Sequence, residues 1–162
     1  MPKHSVILVF AASFGTCGCA LATDEADCRA ADGTFLTGIV VGAPTYVAGR
    51  SMRGINLSHT HIVLKGDADA KIYNIAADNV FSDGYVPSDP KIPSPLTLVN
   101  DGAHLELCGI PYSGGIHWVH TNCGAVPTPQ DPEGWIKLID QEGRVGPNLA
   151  GSQKYCYLWP RR

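Results

Sequence analysis

Four of the six histidines in this 162-residue chain fall in two tight groups, His59 with His61 and His117 with His120. Imidazole is the side chain that titrates nearest neutral pH and a frequent metal ligand, so such a grouping could support acid–base chemistry or hold an ion. Residues two apart on a strand share a face, which lets His59 and His61 turn two rings toward one ligand. Residues three apart lie on opposite faces of a regular strand, so His117 and His120 cannot both join them unless a bulge intervenes. His59, His61 and His117 are the candidate metal ligands, with zinc as the alternative to no cofactor. Asp67, Asp69, Asp78 and Glu106 are acids that could complete a shell or serve as a general base. No close-spaced zinc motif surrounds any of them, and the expectation is that the protein works without a cofactor.

Other nucleophile and ligand signals are weaker. Ser113 lies in a hairpin-turn sequence and Ser58 adjoins His59, and neither has the G-x-S-x-G setting that aims a serine over a sheet. Asp67-Ala68-Asp69 lacks the glycine and distal glutamate of a calcium loop and reads as turn chemistry. Aromatic residues offer more: Tyr112, Trp118, Trp135, Tyr157 and Trp159 could form a platform for a sugar or peptide, or could fill the core. The candidate ligand-binding set is His59, His61, Tyr112, His117, Trp118 and His120, with no catalytic residue assigned.

The first 22 residues read as a signal peptide: Lys3 and His4, an apolar run over 6–14, and Ala20-Leu21-Ala22 as an A-x-A cleavage site. The run is shorter than the roughly 20 apolar residues that a membrane span requires. Cleavage near Ala22 implies a periplasmic or secreted protein. It also removes Cys17 and Cys19, leaving Cys28, Cys108, Cys123 and Cys156 for two disulfides in one of three possible pairings. With 12 basic and 15 acidic residues the net charge is −3, and loss of Lys3 makes it one unit more negative, which disfavours a nucleic-acid partner.

What must position these side chains is a set of short strands. Segments 34–41, 59–65, 70–76, 104–109, 116–121 and 134–139 are β-branched or alternating, with Gly, Pro, Asn and Asp between them. Gly66-Asp67-Ala68-Asp69 predicts a hairpin, and Asn100-Asp101-Gly102 a tight turn. Four prolines between Ser82 and Pro95 exclude a central strand there and predict an exposed loop. Three strands, an irregular crossover and two further strands give the expected fold: all-β, a small antiparallel barrel with an OB-like five-stranded core. Residues 122–162 would form a disulfide-tethered covering extension, and a β-sandwich is the alternative. Residues 23–162 form one domain.

The run Ile116-His117-Trp118-Val119-His120 followed by Gly134-Trp135 resembles a His-Trp-Thr-His and Gly-Trp pattern in a family of small exported proteins of Gram-negative bacteria. The remainder is similar to small bacterial antigens. The likeness covers about a third of the chain, and Asn122-Cys123 stands where that family carries His and Asp. It implies an exported β domain and brings no activity with it. Three readings of function follow. The first is an exported, non-enzymatic binding protein of the bacterial envelope whose partner is an envelope or host glycan, peptide or protein. The second is a metal-dependent hydrolase or nuclease using the histidines, and the third an inhibitor presenting the loop from Tyr85 to Pro95.

Overall fold

A computed structural model of the chain describes residues 19–124 and 126–159, with side chains from Thr23 onward. The expected signal peptide therefore lies almost wholly outside the described residues. The elements are one helix, α1 (Cys19–Ala30), and nine strands: β1 (Thr34–Val40), β2 (Thr45–Val47), β3 (Ser51–Met52), β4 (Ile55–Asn56), β5 (His59–Gly66), β6 (Ile72–Asp78), β7 (His104–Tyr112), β8 (Gly115–His117) and β9 (Trp135–Ile139). Among the described residues no helix is long and apolar enough to cross a membrane.

Five strands close into a barrel. β1 pairs antiparallel with both β5 and β7, β5 with β6, and β7 with β8, while β6 and β8 run parallel and complete the circuit. The order β1-β5-β6-β8-β7 is that of an OB-like barrel, and its closure excludes the sandwich. One pair in the expected antiparallel barrel is thus parallel, because the chain re-enters beside β6 after a long crossover. Gly38 lies where β1 passes between its two partners, and a Cβ there would collide with the Lys65 carbonyl and the Leu64 side chain.

Alternation decides which side chains fill the barrel. Thr60, Ile62 and Leu64 of β5, Ile75 and Ala77 of β6, and Leu105 and Leu107 of β7 are buried, while His59, His61, Val63 and Lys65 take the other face of β5. The crossover replaces a strand with two 3-10 turns, Asn79–Phe81 and Ser94–Leu98, which set Val80, Phe81, Leu96 and Val99 in the core. Ser82, Tyr85 and Pro93 are buried within the Pro-rich segment, so its exposed residues hang from fixed points. Ser58, Thr60 and Asn79 form a buried polar chain: Thr60 Oγ1 donates to Asn79 Oδ1 at 2.6 Å and Asn79 Nδ2 to Ser58 Oγ at 3.0 Å. The Tyr85 hydroxyl donates to the Asn56 carbonyl. Ser58 thereby holds the crossover against the barrel.

Two disulfides, Cys28–Cys108 and Cys123–Cys156, join segments 80 and 33 residues apart. The first fastens α1 to the outside of β7, and the second fastens the C-terminal extension. That extension adds β9 to the free side of β7, then ends in a 3-10 turn at Cys156–Leu158.

Candidate functional site

Two departures from the sequence expectation build the site. β6 continues two residues past Ala76, so Asp78 stands directly opposite His59 in the β5–β6 register, on the barrel's outer face. The strand expected over 116–121 stops at His117, because Trp118 takes a left-handed backbone conformation with φ of +57°. A left-handed bulky residue is strained and persists only where its surroundings dictate it. The turn takes His120 off the strand and brings it to Asp78 at the end of β6, while His117 stays on β8.

Asp78 is the hub of the resulting cluster. His59 Nε2 lies 2.9 Å from Asp78 Oδ1, and His120 Nε2 lies 3.6 Å from Asp78 Oδ2. His120 Nδ1 stands 2.8 Å from the Thr121 carbonyl, and since a carbonyl only accepts, Nδ1 carries the proton and Nε2 is the atom that faces Asp78. The Asp78 hydrogen bond raises the His59 pKa above its ordinary value, partly opposed by burial. Burial lowers that of His117, helped by the nearby His120 and His59 rings and opposed by Asp78.

Aromatic rings wall this cluster. The Phe81 ring stacks on His120 with centroids 3.7 Å apart and planes 4° from parallel. Trp159 stacks on Phe81 at 5.2 Å, and Trp118 tilts against His120 at 5.8 Å. Between them lies a cavity of about 470 Å³. His59, Asp78 and His120 supply its polar lining, while Trp118, Trp159, Phe81 and Leu57 supply the apolar part. Arg50, Asp131 and the Cys123 side of the second disulfide complete it. The volume falls in the ~300–1,000 Å³ range of small-molecule sites, and the mix of apolar walls with a few convergent polar groups is typical of them.

The spacing of the histidine–tryptophan run and Gly134-Trp135 has a physical reason. Gly134 packs beneath the Trp118 turn, its N–H donating to the His120 carbonyl at 2.9 Å. A Cβ on Gly134 would collide with the carbonyl oxygens of Trp118, Cys108 and His120. Glu133 fixes the other side, accepting from Thr121 Oγ1 at 2.8 Å and the Asn122 N–H at 3.0 Å.

Of the residues singled out in the sequence, His59, Trp118 and His120 line the cavity. His117 sits behind them, edge-on to Tyr112 at 5.4 Å and to Trp118 at 6.2 Å. Tyr112 instead donates its hydroxyl to the Asn74 carbonyl at 3.0 Å. His61 is exposed, its ring 6.3 Å from His59 and its pKa lowered by partial burial and by His59. Among the described residues no group of three or more His, Cys, Asp or Glu side chains is arranged to hold a metal ion. Trp135 is buried and belongs to the packing rather than to the platform. Phe81, Arg50, Leu57 and Asp131 carried no sequence signal, because each reaches the site through a loop or turn whose path the local pattern does not specify.

Compared with known proteins, the chain matches no family model, no curated protein and no solved structure. The fold and site define a class: a disulfide-bonded, OB-like β barrel with an aromatic cleft on its outer face.

Proposed function

We propose that the protein is an exported binding module of the bacterial envelope, and that its cleft takes a neutral glycan unit. The observation that carries this reading is the pairing of half-exposed Trp118 and Trp159 with the His59–Asp78–His120 strip inside one cavity. An aromatic face accepts the apolar side of a sugar ring, and a carboxylate held by the His59 imidazole accepts its hydroxyl protons. Arg50 and His59 against Asp78 and Asp131 leave the lining close to neutral, which disfavours a strongly charged ligand. OB-like barrels bind oligonucleotides or oligosaccharides on their outer faces, and the net negative charge points away from the former. Two disulfides agree with an oxidising compartment, and signal-peptide cleavage near Ala22 would deliver the chain there.

The test is an NMR titration of the ¹⁵N-labelled protein with neutral sugars, including N-acetylglucosamine oligomers and the repeating disaccharide of peptidoglycan. The indole N–H resonances of Trp118 and Trp159 should move together while that of buried Trp135 stays, and Trp118→Ala should abolish the response at Trp159. A panel that saturates at high concentration with neither indole moving would end the glycan reading.

The His59–Asp78 pair favours one further reading, general-base hydrolysis. Asp78 orients the imidazole through Nε2 and leaves Nδ1 available to a substrate or water. Turnover of a bound glycan that is lost in His59→Gln, with binding intact, would establish it.

A further inference from the structure

The outer face of β6 presents Asp78, Ala76 and Asn74 in turn, and of these only Asp78 lines the cleft. Ala76 stands opposite His61 on β5 and opposite His117 on β8. The smallest side chain of the row thus lies between two imidazoles. It is the floor of a trough with His59 and His61 along one wall and His117 and Trp118 along the other. One step further, Asn74 stands between Val63 and Gly115, and Gly115 is paired with Tyr112. Four residues of strand separate Asp78 from Asn74, a run of about 13 Å.

Tyr112 closes the far end as a ring laid across the sheet. A Cβ on Gly115 would stand 2.9 Å from Tyr112 Cζ, so the phenol passes directly over the glycine, and its hydroxyl reaches the Asn74 carbonyl at 3.0 Å. His117 braces it edge-on, with the planes 76° apart. Tyr112 nevertheless remains 40 % exposed. A ring pinned at its hydroxyl, with surface still open to solvent, offers a stacking face at little cost in side-chain freedom.

The chemistry of the trough narrows its occupant. Neither row beyond Asp78 carries an Asp, Glu, Lys or Arg side chain, so a charged chain finds no counter-ion there. The backbone of β6 is already paired on both sides, so a peptide cannot be added as a further strand. What remains on offer is ring faces, two imidazoles and the exposed amide of Asn74. Those suit a ligand that alternates apolar faces with hydroxyl groups.

The geometry points to a longer groove, of which the cleft is one subsite: its ligand is a neutral oligosaccharide with the next unit over Ala76 and a further unit stacked on Tyr112. This rests on the glycan reading of the cleft and extends it from a single sugar to a chain.

Chain length is the test, on the intact disulfide-bonded protein. Glucose and N-acetylglucosamine, each with its β-1,4-linked dimer and tetramer, are titrated while the Trp118 and Trp159 indoles and the Tyr112 ring are followed by NMR. In the series that binds, the tetramer should bind more than about tenfold tighter than the monomer, beyond the gain from its several equivalent registers. It should also move the Tyr112 ring resonances, which the monomer leaves in place. Tyr112→Ala, and separately Ala76→Leu, which fills the floor between the imidazoles, should bring the ratio of tetramer to monomer affinity down to that statistical gain. If both indoles respond but the tetramer is no tighter, or if the ratio survives in both variants, the groove is overturned and the cleft reading stands. Movement of Tyr112 by an uncharged peptide of similar length, with the tetramer inert there, would overturn it as well. Indoles that stay silent toward every sugar at saturating concentration would remove the cleft reading and the groove with it.

Discussion

The two faces of this barrel treat their acids in opposite ways. On the cleft side Asp78 sits half-buried with both carboxylate oxygens toward imidazoles, and its surroundings open into an aromatic cavity. On the α1 side Glu106 is sealed, one oxygen has no hydrogen-bond partner among the described residues, and Lys137 beside it is shared with Asp24. A partly exposed carboxylate held by half-exposed His59 at the edge of a cavity suits ligand exchange, because a hydroxyl can join it without a large desolvation cost. A sealed one instead ties stability to pH, since ionising it where it lies is costly. Each face is closed by one disulfide, so the contrast can be tested bond by bond.

The largest expected effects come from those bonds. In the loop-entropy treatment, separations of 80 and 33 residues give similar stabilisation, about 4 kcal/mol each. Denaturant unfolding of Cys28→Ala/Cys108→Ala and Cys123→Ala/Cys156→Ala should therefore show comparable losses. Their functional consequences should differ. Cys123–Cys156 holds the segment that carries Trp159, so its loss should uncouple the Trp159 indole from Trp118 in the sugar titration, whereas loss of Cys28–Cys108 should leave that coupling intact. Equal damage to the cleft by both variants would erase the distinction between the faces.

Next in size is the pH dependence contributed by Glu106. Its carboxyl is raised from 4.5 to about 7 in the folded chain, so the folded state binds the proton more tightly than the unfolded state does. The contribution is fully present below pH 4.5 and is lost as pH rises through about 7, a change on the order of 3 kcal/mol. The difference in unfolding free energy between wild type and Glu106→Gln, followed across that window, isolates it. A difference that is flat with pH would mean that Glu106 is ionised throughout.

Gly134→Ala tests how the cleft is held from behind. A methyl group there meets three backbone carbonyls, two of them in the turn that carries Trp118 and His120, and overpacking of this kind costs about 1–3 kcal/mol. Stability measured by thermal melting should fall, and the Phe81–His120 ring stack should loosen, seen as loss of the ring-current shifts on both rings. Retention of those shifts would show that the turn is held by Glu133 alone.

The barrel was legible in the sequence because its signals are local: period-two alternation in 59–65 and 104–109, and a hairpin turn between 66 and 70, each act over a few residues. The disulfide residues were legible too, though their pairing depends on which strand α1 crosses. The site was read only in part. His59 and His120 were visible as candidates, but spacing alone left open which of His117 and His120 would join His59. The left-handed turn at Trp118 is imposed by contacts to Gly134, sixteen positions away, and no local pattern encodes it. The same holds for Phe81, which meets His120 through a 3-10 turn, and for Trp159, which stacks on Phe81 from a segment tied by a disulfide. Glu106 was noted as a possible base for the histidines, and the structure instead buries it against Trp135 and Lys137.

The smallest effect is the most direct probe of the cleft's own acid. Asp78→Asn keeps the shape and removes the charge, leaving His59 and His120 with a neutral partner; for a partly exposed pair the expected cost is within about 1 kcal/mol. Its signature is in titration rather than stability. The His59 pKa is raised chiefly by Asp78, so the interaction is fully present below the ordinary histidine value of 6.5 and is lost as pH rises through the higher folded value. In Asp78→Asn the His59 ring should titrate lower than in wild type, because burial then acts without its opponent, and the His117 ring should also move down as it loses the same carboxylate. Both can be followed by their imidazole proton shifts. If His59 fell and His117 did not, Asp78 would serve only the His59 side of the cleft, and its acceptor role toward a ligand would rest on Oδ2 alone.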